Sequence, residues 1–194
     1  DWASDGWNWT EAAPMPDTQD HPVILVSFYD AQAFCGWRRK RLPTEAEWQL
    51  AALGPESDLR TSPWGSRYEQ DRLNHGQLTA PNFDDSDGHA KTSPVGSYPS
   101  GRGPYGLDDM FGNAWEYTAD LRIGDWGWAR HDGFGPTGAM INARAPGPGL
   151  RVAVRGGSYY FDFRPNPGGE WNAFVPESRR KSAGFRCAAN IQKH

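Results

Sequence analysis

Apolar positions in this chain come in short runs, and the clearest periods lie in its first third. Residues 23–26 (VILV) form a continuous apolar run between Pro22 and Ser27, which predicts a short buried strand. From Ser27 the period changes. Ala31, Phe34 and Cys35 fall on one face at i, i+3, i+4 spacing, predicting a helix capped by Ser27 or Asp30. That helix is expected to end in the basic run Arg38, Arg39, Lys40, Arg41, where cations offset the carbonyl dipole, and Pro43 blocks its continuation. Thr44 and Glu47 then match a capping box, opening a second helix with Trp48, Ala51 and Ala52 inward and Gly54-Pro55 as its stop.

Beyond Gly54 the pattern changes again. Short aromatic runs are separated by Gly, Pro, Asp and Asn, and regular helix is improbable. GNAWEYTAD (112–120), RVAVRGGSYYFDF (151–163) and GFRCAAN (184–190) read as strands with glycine turns. Two early helices followed by short strands and long loops give an α+β class. With 194 residues and no linker, the chain reads as a single domain, 1–194, whose residues 1–20 are an irregular lead-in pinned by Trp2, Trp7 and Trp9.

Composition explains how such a chain builds a core. Hydrophobic residues are only 37%, but 13% of the chain is aromatic, and each buried ring removes a large area from water. The high Gly and Pro counts, 23 and 16, fit a loop-rich fold and exclude a coiled coil or helical bundle. The net charge of −4 and the lack of a longer basic block argue against nucleic acid as a partner. No apolar stretch approaches the ~20 residues that span a bilayer. The first residue is Asp1, so the sequence reads as a processed or partial form, and the lack of a leader says nothing about export. The two cysteines, Cys35 and Cys187, read equally as buried free thiols or as a bridge, and a bridge would place the chain in an oxidising compartment.

Several motifs follow one another in a fixed order: HPVILVSFYDAQAFCGW, RLPTEAEWQLAA, SPWG, TSPVGSYPSGRGPYGLDDMFGNAWEYTAD, VRGGSYY and SAGFRCAAN. Together they resemble the formylglycine-generating enzyme, or sulfatase-modifying factor, family from about His21 to Asn190. The resemblance implies a loop-rich variant of the C-type lectin fold with little regular structure. A further N-terminal family segment is not found before His21. The resemblance also implies a Cys35–Cys187 disulfide, and with it a periplasmic or extracellular location.

It implies two calcium sites as well. One would use the Asn82 side chain, the Phe83 carbonyl, the Asp87 side chain and the His89 carbonyl. The other would use Asp109 and Glu116 side chains with the carbonyls of Gly112 and Ala114. Hard cations take oxygen ligands, and a Gly-Asn turn brings oxygens together from both flanks. Read from the residues alone, the first segment is a solvated acidic turn, and Asp109 and Glu116 pair with arginines such as Arg155 or Arg186.

The family's oxidase chemistry needs two cysteines after the Gly-Gly-Ser motif to hold copper, because soft thiolates suit Cu(I). Here the matching positions are Phe161 and Asn166. Formylglycine-generating activity is therefore not expected. Tyr159, Tyr160, Phe161, Phe163, Trp171, Asn172 and Phe174 read instead as a recognition surface, or in half the cases as core. Ser158 reads as part of a turn and His21 as a structural hydrogen-bonding residue. A redox metal on scattered histidines such as His75 and His131 is the enzymatic alternative, a metal-dependent oxidase using iron or copper. The leading expectation is a non-catalytic, exported, calcium-stabilised binding or accessory domain for a protein partner or ligand.

Overall fold

Reciprocal side-chain caps start both helices. In the computed structural model, which describes residues 14–55, 60–76, 85–123, 150–160 and 171–190, Ser27 caps helix α1 (Phe28–Trp37). Its Oγ accepts from Asp30 N at 3.2 Å, and Asp30 Oδ2 accepts from Ser27 N at 2.8 Å. Thr44 and Glu47 do the same for α2 (Glu45–Leu53), at 3.2 and 2.9 Å. Gly54, at φ 80°, ends α2 in a conformation that costs glycine little.

Three local expectations are corrected. Residues 23–26 are not a strand: Leu25 sits at φ 62°, which breaks the extended run, and Ile24 and Leu25 are both buried. On α1 the inward residues are Phe28, Ala31 and Cys35, whereas Phe34 is 47% exposed. The basic run lies beyond the last turn of α1, with Arg39 at φ 56°, so it does not complement the helix end from within. Arg41 turns back to pair with Glu47 at 2.6 Å and to donate to Asn190 at 2.8 Å.

Four strands form one sheet: β1 (Trp115–Ile123), β2 (Leu150–Arg155), β3 (Trp171–Phe174) and β4 (Ala183–Phe185), in the order β3-β2-β1-β4. The pairs β1–β2 and β2–β3 are antiparallel, and β4 runs parallel to β1. β1, β2 and β4 overlap the three segments read as strands, although β4 covers only the first two residues of 184–190. β3 lies where a surface was expected. The β1–β2 register slips between Tyr117↔Val154 and Leu121↔Val152. In this irregular stretch Thr118 Oγ1 donates to Ala153 O at 2.9 Å, and Ala119 N donates to Pro43 O at 2.8 Å. Asp120 Oδ2 accepts from Glu45 N at 2.5 Å, placing a carboxylate at the start of α2.

Each helix anchors an apolar cluster, the first of them built on β1 and β2. Phe28, Ala31 and Cys35 of α1 pack on Trp115, Tyr117, Val152, Val154 and Phe174. Trp48, Ala52 and Leu53 of α2 pack with Leu73, Met110 and Phe111, and Trp48 stacks on Phe111 at 6.3 Å. Cys35 and Cys187 form a disulfide with Cα atoms 5.6 Å apart, tying α1 to the chain just past β4. The architecture is thus mixed helix and sheet with extensive loops, as the pattern predicts. Among the described residues no helix is long and apolar enough to cross a membrane.

Candidate functional site

The loop before β1 is bent by residues that tolerate the left-handed region. Asp109, Gly112 and Asn113 have φ of 52°, 80° and 62°. Gly112 has a second reason to be glycine: a Cβ there would lie 2.3 Å from Asn74 O. Asn113 then fixes the loop to its surroundings. Its Oδ1 accepts from Ser93 N at 3.0 Å, its Nδ2 donates to Ser93 O at 3.2 Å, and its N donates to Asn74 O at 2.9 Å. The side chain is buried, so these bonds offset its desolvation.

This bend brings Asp109, Ala114 and Glu116 to one pocket of about 340 Å³, whose wall also includes Pro22, Phe185 and Arg186. Gly112 lies in the turn, where its carbonyl accepts from Ala114 N at 2.8 Å. Three of the four residues expected to hold the second calcium ion therefore line one cavity, with the fourth beside it.

The same pocket already contains a cation. Arg186 meets both Glu116 oxygens at 2.5 Å, and its Nη2 donates to the carbonyls of Asp108 and Asp109 at 3.1 and 3.2 Å. Trp48 Nε1 donates to Glu116 Oε2 at 2.7 Å. Burial works against the Arg186 charge, but Glu116 and the two aspartates outweigh it and hold its pKa above the ordinary value. The other arginine considered, Arg155, pairs with Glu45 at 3.1 Å and with Gln49 at 2.8 Å. Asp109 is the less compensated anion. Burial raises its pKa, the Gly96 N–H it accepts at 2.8 Å opposes that, and the Asp108 carboxylate adds to it. A further hard cation would relieve this site, and Asp109 offers it an oxygen.

At the first expected site the described part is Asp87 and His89. Asp87 accepts from His75 N at 2.7 Å and from His89 N at 2.9 Å, and its carbonyl accepts from Tyr98 Oη at 3.1 Å. Burial, then Asp87 and Asp109, push the Tyr98 hydroxyl pKa well up, so the two acidic loops act on one side chain. Asn82 and Phe83 lie outside the described residues. Among the described residues no three His, Cys, Asp or Glu side chains converge as a redox metal would need. His75 is buried, and His131 lies outside the described residues. His21 Nδ1 lies 3.0 Å from Thr92 Oγ1, in the structural role expected of it.

The aromatic stretch divides. Tyr159 and Phe174 are 2% and 5% exposed. Tyr159 Oη donates to Lys181 O at 3.2 Å, and Phe174 packs edge-on against Trp115 and Tyr117. Both leave the expected recognition surface, because aromatic rings build this core. Tyr160 is exposed, Trp171 and Asn172 are half-buried on β3, and Phe161, Phe163 and Asn166 lie outside the described residues. Ser158 is buried and accepts from Tyr160 N at 3.3 Å, a turn contact. Sequence reasoning missed Asn113 as the anchor of the pocket loop. The available signal was an Asn beside a Gly, both tolerant of positive φ. It also missed the Trp48 N–H on Glu116, which no local spacing announces.

Residues 2–191 match the model of the sulfatase-modifying factor enzyme 1-like domain, a span that takes in the lead-in as well. The formylglycine-generating enzyme of Thermomonospora curvata is 38% identical over 186 residues, 91% of this chain and 58% of that protein. The inactive C-alpha-formylglycine-generating enzyme 2 of Bos taurus is 36% identical over 182 residues, 88% of this chain and 50% of that protein. Among solved structures, PvdO from Pseudomonas aeruginosa superposes with a TM-score of 0.61 at 24% identity, over 92% of this chain and 64% of that one. That likeness concerns the fold. The chain spans about half the length of the curated relatives it matches.

Proposed function

Since the chain belongs to the sulfatase-modifying factor family, we propose that it is a non-catalytic, calcium-stabilised binding or accessory domain for a protein partner. One observation carries the reading. The positions matched to the family's copper-binding cysteines hold Phe161 and Asn166, which offer Cu(I) no atom and one weak, hard amide. The two cysteines the chain does have are joined in a bridge between α1 and the end of the sheet. A relative named as inactive, 36% identical, supports the same reading.

Calcium would be held by oxygens of Asp109, Glu116, Gly112 and Ala114, and by Asn82, Phe83, Asp87 and His89. At the first set it would add positive charge beside Asp109, whose carboxylate is desolvated. The bridge fits an oxidising, non-cytoplasmic compartment, periplasmic or extracellular. The architecture is read as a loop-rich variant of the C-type lectin fold.

The test has two arms. Copper-loaded protein is incubated with oxygen and a sulfatase-type Cys peptide, and aldehyde is read by mass; no turnover above a metal-free blank is expected. Thermal melting is then compared in calcium and in excess EGTA, where loss of an ion bound only to the folded state lowers Tm. Aldehyde formation, or stoichiometric iron or copper in the purified protein, would return the chain to the oxidases. An unmoved Tm would remove calcium.

A further inference from the structure

α1 (Phe28–Trp37) carries apolar residues on both of its faces. Its inner face is core. Its exposed positions are Tyr29, Gln32, Ala33, Phe34, Gly36 and Trp37, and its one charged residue, Asp30, is half-buried and paired with Arg179 at 2.6 Å. A surface helix ordinarily turns charged and polar side chains outward, so an outer face with three rings and no unpaired charge needs a reason. Trp37 is 73% exposed and Phe34 47%.

These rings are held in place. The Phe34 ring lies 5.6 Å from that of Trp37 and 5.5 Å from that of Phe185. The neighbouring Cys35 is bonded to Cys187, so α1 and the Phe185 segment cannot separate. Between Phe34 and Trp37, a Cβ at Gly36 would meet nothing within 4 Å, so packing inside the chain does not demand a glycine there. Close approach by another backbone would.

Charge supplies the second half of the pattern. Arg38, Arg39 and Lys40 continue from Trp37, all exposed, and no carboxylate among the described residues pairs with them. The Arg38 guanidinium lies 5.6 Å from the Trp37 ring centroid. This concentration of cations stands on a chain whose net charge is −4. Aromatic rings with arginine are the composition of interface hot spots, and a fixed cluster costs less to order on binding.

We propose that the outer face of α1 is a docking surface for an acidic protein segment with apolar side chains. The apolar groups would cover Phe34 and Trp37, and the carboxylates would meet Arg38, Arg39 and Lys40. A peptide laid along the helix meets rings first and cations at one end. A membrane plane would favour cations placed around the rings. The inference rests on the reading of the chain as a binding domain, and it places the contact surface on α1 rather than on residues 159–174, where Tyr159 and Phe174 are core.

The test uses a fluorescein-labelled synthetic peptide of alternating Glu-Leu and Asp-Phe pairs, read by fluorescence anisotropy. Polyglutamate and phosphatidylglycerol vesicles are the comparison probes. Wild-type protein should bind the peptide, more weakly as salt rises from about 50 to about 300 mM. Trp37→Ala and the double variant Arg38→Glu/Lys40→Glu should each lose roughly 10-fold or more. Both change exposed side chains, and an unchanged Tm verifies that they fold. Polyglutamate, which lacks apolar groups, should bind at least about 10-fold more weakly than the peptide. Equal binding by wild type and both variants would overturn the proposal, as would patch-dependent binding to vesicles with none to the peptide. Aldehyde formation alongside patch-dependent peptide binding would sink the non-catalytic reading and leave this surface standing. Absence of peptide binding would sink the surface whatever the oxidase assay gives.

Discussion

Replacing Glu116 by Gln tests the centre of the pocket. The side chains of Glu116 and Arg186 are 10% and 27% exposed, and two contacts of 2.5 Å join them. Gln keeps the shape and an oxygen for the Trp48 N–H, but it removes the charge that compensates the guanidinium. Breaking a buried pair from one side costs about 3–5 kcal/mol. Since a quarter of Arg186 is wet and its Nη2 retains two carbonyls, we expect about 3 kcal/mol for Glu116→Gln. Arg186→Met should cost a similar amount. The double variant should cost about 2 kcal/mol less than the sum, because neither partner is then left with an unmatched charge. The assay is urea unfolding of all four proteins in EGTA, reading midpoint and slope. Repeating it in excess calcium separates the two cations. If Glu116 also holds an ion, Glu116→Gln costs more in calcium than in EGTA, by the binding term it forfeits. A loss under about 1 kcal/mol in EGTA, or additive single variants, would refute the account of a coupled buried pair.

Reducing the Cys35–Cys187 bridge, whose partners are 152 residues apart, should destabilise the protein by at most about 5 kcal/mol on chain-entropy grounds, read as a Tm drop in reductant. Two titratable thiols in the unreduced, denatured protein would contradict the bridge. Acid should reveal the Arg41–Glu47 pair. Chiefly through the Arg41 hydrogen bond, the Glu47 pKa falls from 4.5 to about 2 in the folded chain, so its contribution is complete above 4.5 and lost as pH falls towards about 2. Glu47→Gln should therefore flatten the pH dependence of Tm in that window and not above it. Gly112→Ala should cost about 3 kcal/mol or more, from the left-handed backbone and a Cβ forced against Asn74 O; a near-neutral result would mean that the loop relaxes.

The helix starts were legible because their signals are local: a capping box lies within four residues, and both Ser27/Asp30 and Thr44/Glu47 form one. Residues 23–26 misled because an apolar run reports burial and not backbone shape. Ile24 and Leu25 are buried as the run implies, but Leu25 adopts φ 62°. The same ambiguity governs residues 159–174. Aromatic composition cannot tell a core ring from a contact ring, and only the sheet pairing decides that Phe174 faces Trp115. The pocket was half legible. Asp109, Ala114 and Glu116 were named from the family resemblance, with which the Gly-Asn turn is consistent. Arg186, some seventy residues away in sequence, could be suggested but not chosen over Arg155, because the choice depends on β4 lying parallel beside β1.

The bridge between α1 and the end of β4 also bears on how the chain can go wrong. As it is synthesised, Cys35 must wait as a free thiol for a partner 152 residues later. These 194 residues contain two cysteines, so no alternative pairing exists within them. Oxidation therefore has two outcomes for this domain: it locks α1 against a completed sheet, or it joins two copies. A misoxidised product of this domain would be a covalent dimer and not a scrambled monomer. An isomerase would have nothing to reshuffle within these residues, and its work on them would be limited to undoing links to other thiols.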